Sequence, residues 1–437
     1  MDEGSKKFNK CLLYILIFLM VFTGSTITIL LKNLEKIKSL GREFKTHRWF
    51  ITFGMFLGEF ISIFFYVYKL KQRKKKLNEN RIEEQGDTVQ EPLREQAYKR
   101  PPIPSNLFFS ITAGADLIAS TMNIFGLSYL TSSIYQMMRG LQLFPICILS
   151  LIILKKPIYR HAILGICFLV IGCFLIGITG YNKDKEEGKK GLIGIFLICI
   201  SQIFTSLENI IQEIFIKKYE VCPFQLIGFE GLWGGTLYIV LLIIFQNISC
   251  DHFNDSLKEK ICSYNDKDKY HLEDSIFAFK QFGDKISILG IYIFYILSIF
   301  LYNIVKINLI KLTSSTDKVV VDFIRSVFIW LFFLCFEPVK GTKESFDFLQ
   351  LSGLCLIIIG NLIYNEFIVI SFWKLNYYTR DNIAKRKEEE KRNKMIVKNG
   401  EEDLYISIDG KDYSNYQGKS NSTNLNEDSE SNGNISS

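Results

Sequence analysis

A chain of 437 residues with net charge +7, 48% hydrophobic and 22% charged residues joins long apolar stretches to strongly charged connectors, the pattern of a membrane protein and not of a soluble core of this length. The positive charge sits in short blocks beside apolar runs, which reads as topogenic charge and excludes nucleic acid as the expected partner.

Ten apolar stretches lie near residues 11–31, 49–70, 107–128, 133–154, 159–179, 191–216, 223–246, 286–310, 317–336 and 348–370. About 20 helical residues cross a hydrocarbon core of about 30 Å, so the pattern predicts an all-α protein with ten transmembrane helices in a lipid bilayer. The first stretch follows Lys6, Lys7 and Lys10; it is too long for a signal-peptide core and no small-residue cleavage site follows, so it reads as a retained helix after a short N-terminus, 1–10. Pro145, deep in the fourth stretch, predicts a kink. Polar connectors interrupt the series at 71–106, a basic linker ending in Pro101-Pro102-Ile-Pro104, and at 247–285. After Lys374 the chain turns polar, and its Ser/Asn/Asp/Glu-rich end is expected to be a largely disordered tail, 374–437. Within it Tyr405-Ile-Ser-Ile408 has the tyrosine-plus-apolar spacing that sorting adaptors read.

Placing the N-terminus in the cytosol puts the basic run Lys69–Lys76, the pairs Lys155-Lys156 and Lys217-Lys218, and the tail inside. The same orientation sends 247–285 to the lumen, where the sequons at Asn247 and Asn254 become glycosylation sites and Cys250 and Cys262 share an oxidising compartment, so a disulfide is expected between them. The sequons at Asn421 and Asn434 fall in the cytosolic tail and are idle in this topology.

The chain says one thing twice. Thr131-Ser-Ser recurs at Thr313-Ser-Ser, Gln136-x-x-Arg139 is answered by Asp322-x-x-Arg325, and Gly165-x-Cys167-x4-Gly172 by Gly353-x-Cys355-x4-Gly360. A spacing of this size implies a duplicated multi-helix half, 11–179 and 191–370. With five helices in each half, an odd number, the second half inserts inverted, the architecture of secondary transporters with a site where the halves meet.

No CxxC, HExxH, P-loop or GxSxG motif is present and the four histidines are scattered, so neither an enzyme, a metal site nor a cofactor is expected. Function rests on ionisable residues in the apolar stretches, each costly in hydrocarbon and therefore expected to line a substrate pathway or gate. The carboxylates Glu59, Asp116, Glu208, Glu213, Glu230 and Asp322 outnumber the bases Arg139, Lys306 and Arg325. Gln136 with Arg139, Asn303 with Lys306, Glu208 with Gln212, and Asp322 with Arg325 each share a helix face. Asp322 and Arg325 also read as a structural ion pair. The acidic excess suits proton coupling or a cationic metabolite; the bases suit an anionic one.

Residues from several helices resemble the drug/metabolite transporter superfamily: Gly24-Ser25, Gly54-Met-Phe-Leu-Gly-Glu59-Phe, Ser133-Ile-Tyr-Gln136-Met-Met-Arg139-Gly140, Gln212-Glu213-x-Phe215, Pro223-Phe-Gln-Leu-Ile-Gly-Phe-Glu230-Gly231 and Val321-Asp322-Phe-Ile-Arg325. Within it the chain is most similar to the F group of the solute carrier 35 family, with EamA-type repeats, over roughly residues 11–370. The resemblance implies two inverted five-helix repeats, cytosolic termini, and an endomembrane carrier, lysosomal or Golgi, with nucleotide sugars as the wider family's nominal substrates. The long linker, luminal loop and acidic tail depart from that pattern. A non-transporting scaffold or receptor with the same fold is the alternative, as monomer or homodimer.

Overall fold

The computed structural model describes residues 3–84, 105–130, 132–183, 188–250, 262–264, 270–336 and 347–369, with 377, 379, 382–390 and 392 in the tail. Tyr405, Ile408, Asn254, Asn421 and Asn434 lie outside them. Two compact units divide the chain, 1–376 and 377–437. In the second, Arg386 lies over the Tyr377 ring at 3.9 Å and donates to its carbonyl at 2.6 Å.

Helices fill the first unit: α1 Glu3–Lys36, α2 Arg48–Glu84, α3 Phe109–Tyr129, α4 Ser132–Met138, α5 Leu143–Ile153, α6 Arg160–Lys183, α7 Gly188–Lys217, α8 Pro223–Asn247, α9 Ser275–Asp284, α10 Ile286–Leu312, α11 Ser315–Cys335 and α12 Phe348–Tyr364. Each predicted apolar stretch lies on one of them, α4 and α5 sharing the fourth. Among the described residues eight spans are long and apolar enough to cross a membrane. Of the other two predicted spans, α11 carries Asp317, Lys318, Asp322 and Arg325, and α12 has 17 residues. The outer surfaces expose Phe18, Phe22, Phe174, Phe196, Ile243 and Phe294, a girdle far beyond the apolar patches of soluble monomers and suited to lipid. The protein is an all-helical, multi-pass membrane protein.

Local chemistry explains the breaks. Pro145 cannot donate to the Leu141 carbonyl, and its ring crowds that carbonyl. The chain responds with a 3-10 turn at Arg139–Gln142, so the break falls one turn before the proline, between α4 and α5. Ser314 caps α11 by accepting from Asp317 N at 3.2 Å, and Asp347 caps α12 through Leu349 N at 2.9 Å. The connector at 71–106 begins later than expected because α2 runs on to Glu84. The connector at 247–285 is structured in part: α9, capped by Asp274, buries Phe277, Ala278, Gln281 and Phe282. Two short hairpins, Lys38–Ser39 with Arg42–Glu43 and Ser263–Tyr264 with Tyr270–His271, complete that end.

Packing is reciprocal. α6 and α12 lie against each other through the repeated glycines: a Cβ at Gly165 would stand 2.6 Å from Gly360 O, one at Gly360 2.6 Å from Gly165 O, and one at Gly172 2.6 Å from Gly353 O. The first glycine of each copy thus meets the second glycine of the other. Elsewhere α2 packs on α8, α1 on α10 and α3 on α7. Burial concentrates on these inner faces, with a main cluster that includes Phe56, Leu127, Met137, Tyr238 and Ile357.

Candidate functional site

At the centre lies a cavity of about 160 Å³ lined by α1, α2, α3, α4, the 3-10 turn, α7, α10 and α11. Seven of the residues singled out from sequence face it: Glu59, Asp116, Arg139, Glu208, Asn303, Lys306 and Arg325. Their chemistry sorts into two groups, one acidic and one basic.

In the acidic group, Lys306 Nζ meets Glu208 Oε1 at 2.8 Å. The same oxygen accepts from Gln212 Nε2 at 2.8 Å, and that amide also donates to Glu230 Oε2 at 2.9 Å. Gln212 and Glu230 therefore brace Glu208 from behind the cavity wall. Asn303 Nδ2 donates to Glu59 Oε1 at 2.9 Å, while buried Glu59 Oε2 has no hydrogen-bond partner. Asp116 is 9% exposed and lines the cavity; it forms no ion pair among the described residues.

The basic group gathers on α11. Asp322 binds Lys318 Nζ at 2.5 Å, Arg325 Nη2 at 3.2 Å and the Tyr302 hydroxyl at 2.9 Å. The Arg325 guanidinium also lies 5.3 Å from the Tyr302 ring centre, a cation–π contact. Room for it depends on Gly24 of α1, where a Cβ would stand 2.5 Å from Arg325 Cδ and Nη1. Arg139, half-buried at the helix break, stands 5.9 Å from the Tyr135 ring and has no ion-pair partner among the described residues. Gln136 is not on the cavity lining but donates to Thr28 Oγ1, which is, at 3.2 Å.

Glu213 belongs to neither group. It sits at the end of α7, where Lys156 Nζ approaches at 2.7 Å, Lys217 Nζ at 3.0 Å, Ser315 N at 2.9 Å and Ser315 Oγ at 2.5 Å; Lys217 also donates to Thr313 O. This clasp joins the α5–α6 loop, α7 and the start of α11. The opposite end has its own clasp between the α1–α2 loop and the α9 region. There fully buried His47 Nδ1 and Glu273 Oε1 lie 2.7 Å apart, Ser39 Oγ donates to Asp284 Oδ2 at 2.6 Å, and Gln281 Nε2 donates to Ser39 O at 3.0 Å. Cys250 and Cys262 are disulfide-bonded near this end. Asn247 closes α8 with its amide donated to Ile243 O at 2.8 Å.

Lys318 escaped sequence reasoning because it lies at the edge of its apolar stretch. Its signal was the i, i+4, i+7 alignment of Lys318, Asp322 and Arg325 on one helix face. With Lys318 included and Glu213 removed, the acidic excess expected from composition shrinks. Tyr135, Tyr295, Tyr302 and Asn123, also on the wall, were missed because uncharged polar residues do not stand out in apolar runs. Among the described residues no cluster of His, Cys, Asp or Glu suits a metal ion. A larger cleft of about 550 Å³ between the end of α4 with its 3-10 turn, α6 and α7 is lined by Met138, Leu141, Phe174 and Ile195 and offers no charge to a polar solute.

The profile of the UAA transporter family matches residues 13–368. Solute carrier family 35 member F6 of Rattus norvegicus and of Homo sapiens are each 27% identical over 357 residues, 79% of this chain and 87% of the relative. An uncharacterised protein of Schizosaccharomyces pombe is 25% identical over 350 residues, 80% and 96% of the two chains. The chain thus belongs to the UAA transporter family, akin to the F group of solute carrier family 35, a family of membrane solute transporters and not of enzymes.

Proposed function

We propose that the protein is a secondary-active carrier that moves a small organic solute across an endomembrane by alternating access, with ten membrane helices in two inverted five-helix repeats and both termini in the cytosol. One observation carries this reading: a cavity of buried charges is walled by helices of both sequence halves and bordered by a broken helix at Arg139–Gln142, the arrangement expected of a midplane substrate site. Reciprocal contact of the repeated glycines supports the inverted duplication. Polar clasps at both ends, around Glu213 and around His47 and Glu273, suit gates that open in turn.

A nucleotide sugar, the substrate class implied by family resemblance, is less well accommodated than a smaller solute. The cavity's volume, about 160 Å³, is below the roughly 300–1,000 Å³ of ordinary ligand pockets. Purified protein in liposomes, preloaded and assayed for counterflow of nucleotide sugars, amines and amino acids with and without a pH gradient, tests the reading. Saturable, solute-specific exchange is expected; no exchange of any solute by folded protein refutes transport in favour of a scaffold.

A further inference from the structure

Beyond the existence of a carrier site, the cavity's leftover charges specify what it takes. Among the described residues, Glu208 has Lys306 as its counter-ion and Asp322 has Lys318 and Arg325. Two carboxylates on the cavity wall are not so answered: Glu59, which receives only the neutral Asn303 amide on one oxygen and has nothing on the other, and Asp116. On the basic side Arg139 has no ion-pair partner among the described residues, and Arg325, paired with Asp322 through Nη2, keeps a buried Nε without a hydrogen bond. Glu59 and Arg325 are each 3% exposed, so these are built positions inside the protein and not surface charges.

A buried charge or polar atom without a partner is costly. A simple cation would answer Glu59 and Asp116 and leave Arg139 and the Arg325 Nε as they are; a simple anion would do the reverse. A nucleotide sugar adds negative charge and brings no cation to the acidic wall. A solute with an ammonium at one end and a carboxylate at the other answers both walls at once, and the cavity's modest size suits a small one. We propose that the site takes a small zwitterionic solute of the α-amino-acid type, its ammonium held by Glu59 and Asp116 and its carboxylate by Arg139 and Arg325. This inference rests on the carrier reading above.

The test uses the full chain in lipid nanodiscs, with calorimetric binding of L-alanine, L-serine, L-valine and L-leucine. Each is set against its decarboxylated amine and its deaminated acid, with UDP-glucose as an anionic comparator. At least one amino acid is expected to bind at least about tenfold more tightly than both of its single-charge analogues, a comparison that needs no variant. Glu59→Gln and Arg139→Gln are expected to weaken that binding by about tenfold or more each, Glu59→Gln by loss of the ammonium end and Arg139→Gln by loss of the carboxylate end. Binding of UDP-glucose, an amine or an acid without binding of any amino acid overturns the zwitterion assignment, as does binding of none of the probes. Counterflow separates the two ideas: exchange of UDP-glucose or an amine alone keeps the carrier and removes the zwitterion, whereas amino-acid binding without any flux keeps the site and removes the carrier.

Discussion

Among the described residues Lys306 is the one ammonium bonded within the acidic group, and replacing it with Met, a side chain of similar length without charge, isolates its contribution. Lys306 is 6% and Glu208 3% exposed, with 2.8 Å between the charged atoms. After Lys306→Met, Glu208 and Glu230 share only the neutral Gln212 amide, and Glu59 has only that of Asn303. Stripping one partner from a buried pair costs about 3–5 kcal/mol, and the crowding of further carboxylates places this case near about 4 kcal/mol. Glu208→Gln leaves Lys306 within electrostatic reach of Glu230, Asp116 and Glu59, so its loss is nearer that of one charged hydrogen bond, about 1.5–3 kcal/mol. Lys306→Met is therefore the worse single change, and the double variant is milder than the sum by about 2 kcal/mol. Reversible unfolding of purified protein in a graded detergent mixture, followed by tryptophan fluorescence, measures all three. An equal or larger loss for Glu208→Gln, or a double variant that is simply additive, refutes the argument that one ammonium holds the acidic group together.

Gly24→Ala drives a methyl into Arg325; flux is expected to fall by about tenfold with a stability loss of about 1–3 kcal/mol, while Gly114→Ala, which meets nothing within 4 Å, leaves both unchanged. Arg139→Lys is expected to keep the unfolding midpoint and lose flux, because Arg139 holds no structural ion pair among the described residues and a lysine cannot copy its planar contact. Asp322→Asn is expected to destabilise, by about 3–5 kcal/mol, since it leaves Lys318 and Arg325 facing each other; normal stability there removes the structural role. On membranes, endoglycosidase is expected to shift the chain through Asn254, and reducing agent to change gel mobility unless Cys250 is replaced by Ser. A fluorescent fusion carrying Tyr405→Ala is expected to distribute differently from the unaltered fusion, and an unchanged distribution removes the sorting role of Tyr405.

The helices were legible because a bilayer demands long apolar runs, and the glycine copies were legible because close helix approach admits little else at 165, 172, 353 and 360. What sequence reasoning missed follows from geometry that spacing alone states only in part. Glu213 counts by sequence among the pathway carboxylates with Glu208, yet it lies one residue beyond Gln212 and therefore turns about 100° away on the helix, toward Lys156 and not the cavity. The α9 helix was read as loop because its ten residues are too short and too mixed to resemble a span, and its apolar face becomes visible only against the Phe44 and Phe50 rings it covers. The helix break was foreseen from Pro145, but its placement depends on which carbonyl the proline displaces, and that sets Arg139 at the wall.

The two end clasps differ in a way that predicts which gate yields first. His47 and Glu273 are both fully buried and sit among the Phe44 and Phe277 rings, so parting them exposes a dry polar pair and aromatic surface together. At the Glu213 clasp the acid is buried, but Lys156 and Lys217 are 44% and 37% exposed. Ion pairs with one wet partner contribute little, of the order of 0–1 kcal/mol each, and water can take over the lysines as they leave. The opening cost therefore rests mainly on Glu213 losing the Ser315 amide and hydroxyl. Glu213→Gln weakens those bonds without removing bulk, and is expected to raise the open population at this end by about tenfold. Labelling of a single engineered cysteine at Thr316, beside the clasp, by a membrane-impermeant maleimide in vesicles of known orientation reads that population. Faster labelling in Glu213→Gln and unchanged labelling in His47→Gln support the assignment; faster labelling at Thr316 in His47→Gln alone reverses the order of the gates.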